Sequence, residues 1–153
     1  MSVRCVFLDR DGVINEKPTP HEYIRSIDEF RLLPNIADWI RLFNALEFVV
    51  IVITNQRGVA RGLMTEAALA SIHSHMLAEL AAKGARIDDI FYCPHEENSC
   101  ECRKPKPGLV YAARDKWNID LAHSLFLGDS DSDQELAAAC GVRFLRVEDG
   151  CLR

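Results

Sequence analysis

The sequence predicts an α/β fold, a three-layer, Rossmann-like arrangement in which helices cover both faces of a parallel sheet. Five short apolar segments of strand length alternate along the chain with segments of helical length. Such alternation is typical of parallel sheets, because each return to the same sheet edge needs a crossover connection, usually a helix. In folds of this kind the ligand site lies beyond the carboxyl ends of the strands.

The predicted strands are runs of apolar and mostly β-branched residues. The run at 48–54, Phe-Val-Val-Ile-Val-Ile-Thr, is too continuous for an edge strand and is expected in the interior of the sheet. The other predicted strands cover 4–9, 87–92, 124–129 and 142–147. The first and fourth of the five strands end in an aspartate, and we therefore expect acidic side chains at the edge where parallel strands end.

The predicted helices are bounded by residues that begin or end helices. Pro34 and Pro107 stand where helices can start, and Gly84 and Gly141 stand where they can stop. Thr65 is in position to cap the longest helix at its N-terminus. The predicted helices cover 36–46, 65–83, 109–117 and 134–140.

Several further residues have ordinary structural interpretations. His73 and His75 lie in the long second helix and are expected at its surface or boundary. Cys5 and Cys140 are expected in the core as small apolar residues, and Cys151 as a free thiol.

Length and composition indicate one domain spanning residues 1–153. Of these 153 residues 48% are hydrophobic and 27% are charged, as in folded globular proteins. The net charge of -5 argues against general binding to nucleic acid or a membrane surface. Because we find no secretory signal and no apolar run near the ~20 residues of a membrane span, we expect a cytoplasmic protein.

Polar side chains follow three of the predicted strands. Asp9 and Asp11 come after the first strand, Thr54 ends the second, and Asp129 and Asp133 come after the fourth. Carboxylates brought together in one cleft repel each other and need a cation, and hard oxygen ligands favour magnesium. A cation held by carboxylates beside a hydroxyl and a lysine suits phosphoryl transfer, in which a carboxylate can be the nucleophile.

This set of residues resembles the haloacid dehalogenase superfamily of phosphatases over nearly the whole chain. That family has an Asp-x-Asp motif at the first strand end, Thr or Ser at the second, then a Lys, and acidic residues after a later strand. The matching residues here are Asp9 and Asp11, Thr54, Lys104, and Asp129 with Asp133. The stretches that follow Asp11 and Thr54 are too short for a large cap domain. We therefore expect the cleft to be closed by the 17–27 loop and the cysteine loop described below.

The resemblance implies a role for each of these residues. Asp9 would attack phosphorus, and Asp11 would protonate the leaving oxygen and then activate water. Magnesium would be bound by the Asp9 carboxylate, the Asp11 backbone carbonyl and Asp129. Thr54 and Lys104 would hold the phosphoryl oxygens. The remaining carboxylate of the motif, that of Asp133, would support the metal from outside its coordination shell.

A second cluster of ligand-type side chains lies between residues 93 and 102. Cys93, His95, Cys100 and Cys102 offer three thiolates and one imidazole, which fits a closed tetrahedral structural zinc site. Cys-x-Cys is a poor geometry for a disulfide between its own ends. The alternative is a group of free surface thiols beside an incidental histidine.

Basic and amide side chains lie next in sequence to Thr54 and to the Cys/His cluster. Arg103 and Lys104 follow the cysteine loop directly and are expected to face the cleft, where Arg103 suits a second phosphate or a carboxylate. Asn55, Gln56 and Arg57 are expected to contact substrate, although a plain connecting loop is an alternative for the outer part of this segment.

The expected partner is a small phosphorylated metabolite. The cysteine loop followed by Cys-Arg-Lys-Pro resembles superfamily members that act on D-glycero-D-manno-heptose 1,7-bisphosphate or on histidinol phosphate. Segments 54–62 and 92–95 favour the heptose substrate, whereas the short cysteine loop resembles the histidinol group. Ser130 stands where the heptose group commonly has Lys. A phospho-acceptor signalling module and an inactive zinc-binding domain are weaker alternatives, and a monomer is slightly favoured.

Overall fold

The chain folds into alternating strands and helices, as the sequence predicts. The computed structural model describes residues 1–148 and 151–152. Two short 3-10 helices occupy Ile27–Glu29 and Leu121–His123. The other elements, in chain order, are β1 (Cys5–Leu8), α1 (Ile36–Ala45), β2 (Val49–Asn55), α2 (Glu66–Ala82), β3 (Asp89–Cys93), α3 (Gly108–Trp117), β4 (Leu125–Gly128), α4 (Asp131–Cys140), β5 (Arg143–Glu148) and β6 (Cys151–Leu152).

One sheet contains all of these strands, in the order β3-β2-β1-β4-β5-β6. Strands β1 to β5 run parallel, and β6 pairs antiparallel with β5. Strand β2 lies between β1 and β3, which confirms its predicted interior position. The chain builds outward from β1 through β2 to β3 and then returns to the other side of β1. This reversal makes the carboxyl ends of β1 and β4 the expected place for a ligand.

The apolar core lies on both faces of the sheet. Side chains alternate along a strand, and therefore Val6 and Leu8 of β1 pack on the face covered by α1 and α2. Cys5 and Phe7 pack on the opposite face, which α3 and α4 cover. Cys140 lies in this second cluster too, and the predicted burial of Cys5 and Cys140 is confirmed.

Apart from shifts of one or two residues at element ends, the start of one helix and the presence of one strand differ from the sequence prediction. Helix α4 begins at Asp131 and not at Gln134, with Ser130 as N-cap, whose Oγ accepts a hydrogen bond from the Asp133 amide at 3.2 Å. The sequence prediction missed this turn because its residues are polar, although acidic side chains favour a helix N-terminus. Strand β6 was not predicted, since two residues carry no periodicity.

Two connections leave the carboxyl ends of the strands, where the ligand is expected. Residues 9–35 join β1 to α1, and residues 56–65 join β2 to α2. Neither connection contains an inserted domain, as the sequence predicts. Within residues 1–148 and 151–152, every helix is too short or too polar to cross a lipid bilayer.

Candidate active site

Three carboxylates converge at the carboxyl ends of β1 and β4. Asp9 directly follows β1, and Asp129 directly follows β4, its parallel neighbour. Asp133 joins them from the first turn of α4. Each of the three offers an oxygen, and these oxygens all lie within 4.8 Å of one another. The structure therefore brings together acidic residues that are more than a hundred positions apart in the chain.

Lys104 is buried among these carboxylates. Its Nζ lies 3.0 Å from Asp9 Oδ1 and 2.7 Å from Asp133 Oδ1, and it donates to the Ile53 carbonyl at 3.1 Å. Asn55 holds the backbone of Lys104 on both sides: its Oδ1 accepts from the Lys104 amide at 3.0 Å, and its Nδ2 donates to the Lys104 carbonyl at 3.4 Å. The Asn55 amide, expected at the substrate, thus fixes the lysine in place.

The cluster carries an excess of negative charge. Burial favours the neutral amine of Lys104, but the neighbouring Asp9 and Asp133 outweigh it and raise the pKa of the lysine. Burial would raise the pKa of Asp133, but the Lys104 ammonium outweighs it and lowers that pKa. Burial raises the pKa of Asp9 well above its ordinary value, Lys104 opposes the change, and Asp133 and Asp129 add to it. A further cation would therefore favour the ionised form of Asp9.

The donor set fits magnesium. Asp129 Oδ1 is buried and has no hydrogen-bond partner among the described residues, while its Oδ2 accepts from Lys17 Nζ at 2.8 Å. Gly12 leaves room for this carboxylate, because a Cβ at Gly12 would lie 2.2 Å from Asp129 Oδ2. A set made only of oxygen ligands is what magnesium prefers. The carboxylate of Asp11 is not in this cluster, and the use of its backbone carbonyl as a ligand stays a prediction.

The side chain of Asp11 is held by several donors. Its Oδ1 accepts from Arg10 Nε at 3.0 Å, Arg10 Nη2 at 2.8 Å and Asn15 Nδ2 at 2.9 Å. Its Oδ2 accepts one long hydrogen bond of 3.3 Å from Gln56 Nε2, which also donates to Thr54 Oγ1 at 3.0 Å. The Gln56 side chain thus links Asp11 to Thr54. Because Gln56 is fully buried, it presents no surface for the expected substrate contact.

The sequence analysis missed two residues behind Asp11. Arg10 is fully buried, and its Nη1 lies 3.1 Å from Nε2 of His73 on α2. The prediction of a surface or boundary position for His73 is wrong, since the residue is 6% exposed. Its spacing from the buried Leu69 and Met76 is that of an apolar helix stripe, and this signal could have revealed it. His75, which contacts Glu79, does lie at the boundary.

Arg103 and Lys106 line a pocket next to Lys104, and Arg57 shares the Glu97 carboxylate with Arg103. Arg57 pairs with Glu97 at 3.0 Å and donates through Nε to the Tyr23 hydroxyl at 3.1 Å. Arg103 Nη2 is 3.8 Å from Glu97 Oε1, and Arg103 Nη1 is buried without a partner among the described residues. The pocket has a volume of about 460 Å³, and its walls include Asn55, Glu97, Arg103, Lys104, Lys106 and Ser132, so that three cations face one carboxylate. Such a pocket suits an anionic group.

The four ligand-type side chains of the cysteine loop also converge. Cys93 Sγ lies 3.4 Å from Cys100 Sγ and 3.0 Å from Cys102 Sγ, and His95 Nδ1 lies 3.2 Å from Cys102 Sγ. The cysteines of the described chain form no disulfide. Four such atoms within 4.8 Å of one another match the donor set of a closed tetrahedral zinc site. Arg103 follows this cluster directly, and its position therefore depends on the loop.

Comparisons with known proteins agree with this site. A family model described as polynucleotide kinase 3 phosphatase matches residues 4–149. A Rhodopseudomonas palustris protein named D-glycero-beta-D-manno-heptose-1,7-bisphosphate 7-phosphatase is 43% identical, with 94% of this chain and 83% of that protein covered. A Campylobacter jejuni protein named D-glycero-alpha-D-manno-heptose-1,7-bisphosphate 7-phosphatase is 39% identical, with 97% and 86% covered.

Solved structures give the same result. A D,D-heptose 1.7-bisphosphate phosphatase from B. bronchiseptica, complexed with magnesium and phosphate, superimposes with a TM-score of 0.89 at 36% identity, covering 97% of this chain and 83% of that one. The corresponding Burkholderia thailandensis enzyme superimposes with a TM-score of 0.67 at 34% identity, covering 92% and 75%. The site geometry and these relatives together show that the chain belongs to the haloacid dehalogenase superfamily of phosphatases, in the group that contains the heptose bisphosphate phosphatases.

Proposed function

We propose that the protein is a magnesium-dependent phosphatase that removes the 7-phosphate of D-glycero-D-manno-heptose 1,7-bisphosphate through an aspartyl-phosphate on Asp9. The observation that carries the proposal is the position of the Asp9 carboxylate. It lies 3.0 Å from the buried Lys104 ammonium, within the carboxylate cluster at the sheet edge. A nucleophile, a fixed cation and a metal-type ligand set therefore share one cleft.

The reaction would proceed in two steps. In the first, an Asp9 oxygen bonds to phosphorus while Asp11 gives a proton to the leaving sugar oxygen. In the second, Asp11 accepts a proton from water as that water attacks the phosphorus of the aspartyl-phosphate and releases Asp9. Thr54 and Lys104 would hold the phosphoryl oxygens during both steps. Magnesium, held by Asp9, Asp129 and the Asp11 carbonyl, would supply further positive charge to those oxygens.

The surroundings of Lys104 suit this task. The ammonium is 4% exposed and its pKa is raised, so it stays protonated in the absence of substrate. A fixed charge in a site that excludes water stabilises developing negative charge more strongly than the same charge in water. The two hydrogen bonds between the Asn55 side chain and the Lys104 backbone keep that charge in place.

The pocket beside Lys104 favours a substrate with a second phosphate. Arg103 presents a buried Nη1 that has no partner in the part of the chain that the structure describes, and Lys106 adds a second cation to the same walls. Histidinol phosphate would bring a cationic amine to this pocket, where Arg103 and Lys106 outnumber the Glu97 carboxylate and would repel it. Ser130 adds no charge here, and its hydroxyl accepts a hydrogen bond as the N-cap of α4. Arg103 would therefore carry most of the recognition of the second phosphate.

Zinc would have a structural role in this enzyme. Cys93, His95, Cys100 and Cys102 would fill all four positions of a tetrahedral ion, which leaves no open position for substrate. The ion would order a loop that has few apolar side chains of its own. Because free thiol ligands persist in reducing compartments, a cytoplasmic location suits this site.

A phosphate-release assay with magnesium tests the substrate. The panel contains the β and α anomers of heptose 1,7-bisphosphate, histidinol phosphate and a 3'-phosphorylated oligonucleotide. We expect the highest kcat/KM for a heptose bisphosphate and the lowest for the oligonucleotide, because the chain has a net charge of -5. Faster hydrolysis of histidinol phosphate than of both heptose anomers would overturn the substrate assignment.

The nucleophile is tested by Asp9→Asn. This variant should lose roughly 10³-fold or more in kcat, because an amide cannot form the acyl phosphate. Acid-quenched single turnovers with labelled bisphosphate should leave phosphate on the wild-type chain and none on the variant. The matched control is Asp115→Asn, whose side chain is 71% exposed on α3, and it should behave as the wild type. Full turnover by Asp9→Asn would contradict the assignment.

A further inference from the structure

A buried chain of polar contacts joins helix α2 to the candidate acid Asp11. Arg10 is fully buried and uses three of its nitrogens in this chain. Its Nη1 lies 3.1 Å from His73 Nε2, while its Nε and Nη2 donate to Asp11 Oδ1 at 3.0 and 2.8 Å. The two ends of the guanidinium thus contact residues from different elements, one in the loop after β1 and one on α2.

The contact with His73 constrains the orientation of the guanidinium. An arginine keeps its charge in a protein, and its donors lie in one rigid plane. Without an acceptor at Nη1, this buried donor of a charged group would lack a partner, which is unfavourable. A rotation that found another acceptor for Nη1 would move Nε and Nη2 away from Asp11. The imidazole therefore fixes the plane of the guanidinium that holds Asp11.

His73 is suited to act as an acceptor. Burial, helped by the Arg10 charge and opposed by Asp11, lowers the pKa of His73 to about 4. The ring is therefore neutral near pH 7, and with its proton on Nδ1 it offers the Nε2 lone pair to Arg10. The ring also packs edge-on against Tyr92, with 6.0 Å between ring centroids, which limits its rotation.

At the Asp11 end of this series of contacts, the two carboxylate oxygens have different partners. Oδ1 accepts from two Arg10 nitrogens and from Asn15, whereas Oδ2 accepts only the long 3.3 Å bond from Gln56 among the described residues. Oδ1 is thus anchored, and Oδ2 is the oxygen that is free to exchange a proton.

We propose that His73 is a positioning residue for the reaction: through Arg10 it fixes Asp11 Oδ1, so that Asp11 Oδ2 faces the leaving oxygen. This inference rests on the proposed function, which makes Asp11 the general acid. It predicts a defect that depends on the leaving group. An alkyl alcohol needs the proton as its bond to phosphorus breaks, whereas nitrophenolate is stable enough to leave without it.

The test compares single-turnover release of the leaving group from heptose 1,7-bisphosphate and from p-nitrophenyl phosphate. In His73→Leu, which removes the acceptor, release from the heptose should slow by ~10- to 100-fold and release of nitrophenol by no more than about 3-fold. His73→Gln offers an amide oxygen as acceptor and should recover most of the heptose rate. His75→Leu, on the same helix but in contact with Glu79, is the control and should match the wild type.

Two further variants separate the possible failures. Asp11→Asn should show the same leaving-group preference more strongly; without that preference, the acid role of Asp11 in the proposed function fails. If Asp11→Asn shows it but His73→Leu slows both substrates equally or neither, the positioning role of His73 is overturned. Arg10→Lys keeps the charge but loses the rigid fork, and should reproduce the selective defect even if His73→Leu does not fold. If Arg10→Lys slowed release from both substrates equally, or slowed neither, the inference would be contradicted.

Discussion

At the scale of single residues, the properties of the site follow from charge placed where water is scarce. Asp9, Asp133 and Lys104 are all buried, and each changes the pKa of the others. The Lys104 ammonium neutralises only part of the carboxylate charge. Burial raises the pKa of Asp9, the residue proposed as nucleophile, and the uncompensated charge of Asp133 and Asp129 adds to the rise. A divalent cation would oppose both effects.

The side chain of Asp129 depends on a glycine at position 12. Gly12 has φ +89°, and a Cβ there would lie 2.2 Å from Asp129 Oδ2. Gly62 has φ +70°, and a Cβ there would have no atom of residues 1–148 or 151–152 within 4 Å. Both Ala variants carry left-handed strain of ~1 kcal/mol or more, but only Gly12→Ala displaces the carboxylate. We expect Gly12→Ala to weaken magnesium binding at least ~10-fold by calorimetry. Gly62→Ala should bind as the wild type, and equal affinities of the two variants would contradict the prediction.

At the scale of elements, the site is made by the ends of strands and by the segments that follow them. Strand β3 ends at Cys93, the first residue of the four-ligand cluster, and the loop then leads directly to Arg103 and Lys104. Helix α3 starts close against this loop, because a Cβ at Gly108 would lie 2.5 Å from the Glu101 carbonyl. The cluster therefore lies at the start of the segment that brings Lys104 to Asp9.

Loss of one cluster ligand should disorder this segment. In Cys102→Ser we expect zinc content to fall from about one ion per chain to near zero, because only three ligands remain. Amide hydrogen exchange in residues 93–107 should speed up, and kcat should fall because Lys104 is no longer held. The control is Cys151→Ser, since that thiol is exposed and outside the cluster. Full zinc content in Cys102→Ser by elemental analysis would contradict the structural zinc site.

At the scale of the whole molecule, the site and the core share β1. This strand lies in the middle of the sheet, and its side chains enter the apolar clusters on both faces. The same strand presents Asp9 at its end, next to the buried Arg10. Stability of the core and geometry of the site are therefore coupled through Arg10 and its contact with His73 on α2.

Burial of His73 should make the folded protein sensitive to acid. The pKa of His73 is lowered from 6.5 to about 4, so the unfolded chain binds a proton in a pH range in which the folded chain does not. Its contribution to stability is complete above pH 6.5 and is lost as the pH falls toward 4, by up to ~3 kcal/mol. The free energy of unfolding, measured by urea titration, should therefore fall more steeply below pH 6.5 in the wild type than in His73→Gln. Parallel pH profiles would contradict this prediction.

The order of the elements and most of the residues that carry chemistry could be predicted from the amino-acid sequence alone. Hydrophobic periodicity is a local property, and it identified β2 as an interior strand and the helices as crossovers. Parallel pairing then implied that Asp9 and Asp129 meet, since neighbouring parallel strands end at one edge. The four ligands of the cysteine loop were recognisable because they lie within ten residues of one another.

The burial of polar groups and the identity of their partners depend on contacts between distant segments. Arg10 and His73 are 63 positions apart, and Asn55 and Lys104 are 49 apart. Sequence spacing does not show that such pairs meet, because a charged or polar side chain can be buried only where another segment supplies its partner. That partner exists only after the helices have packed on the sheet, which is why the contacts behind Asp11 and Lys104 were found in the fold and not in the sequence.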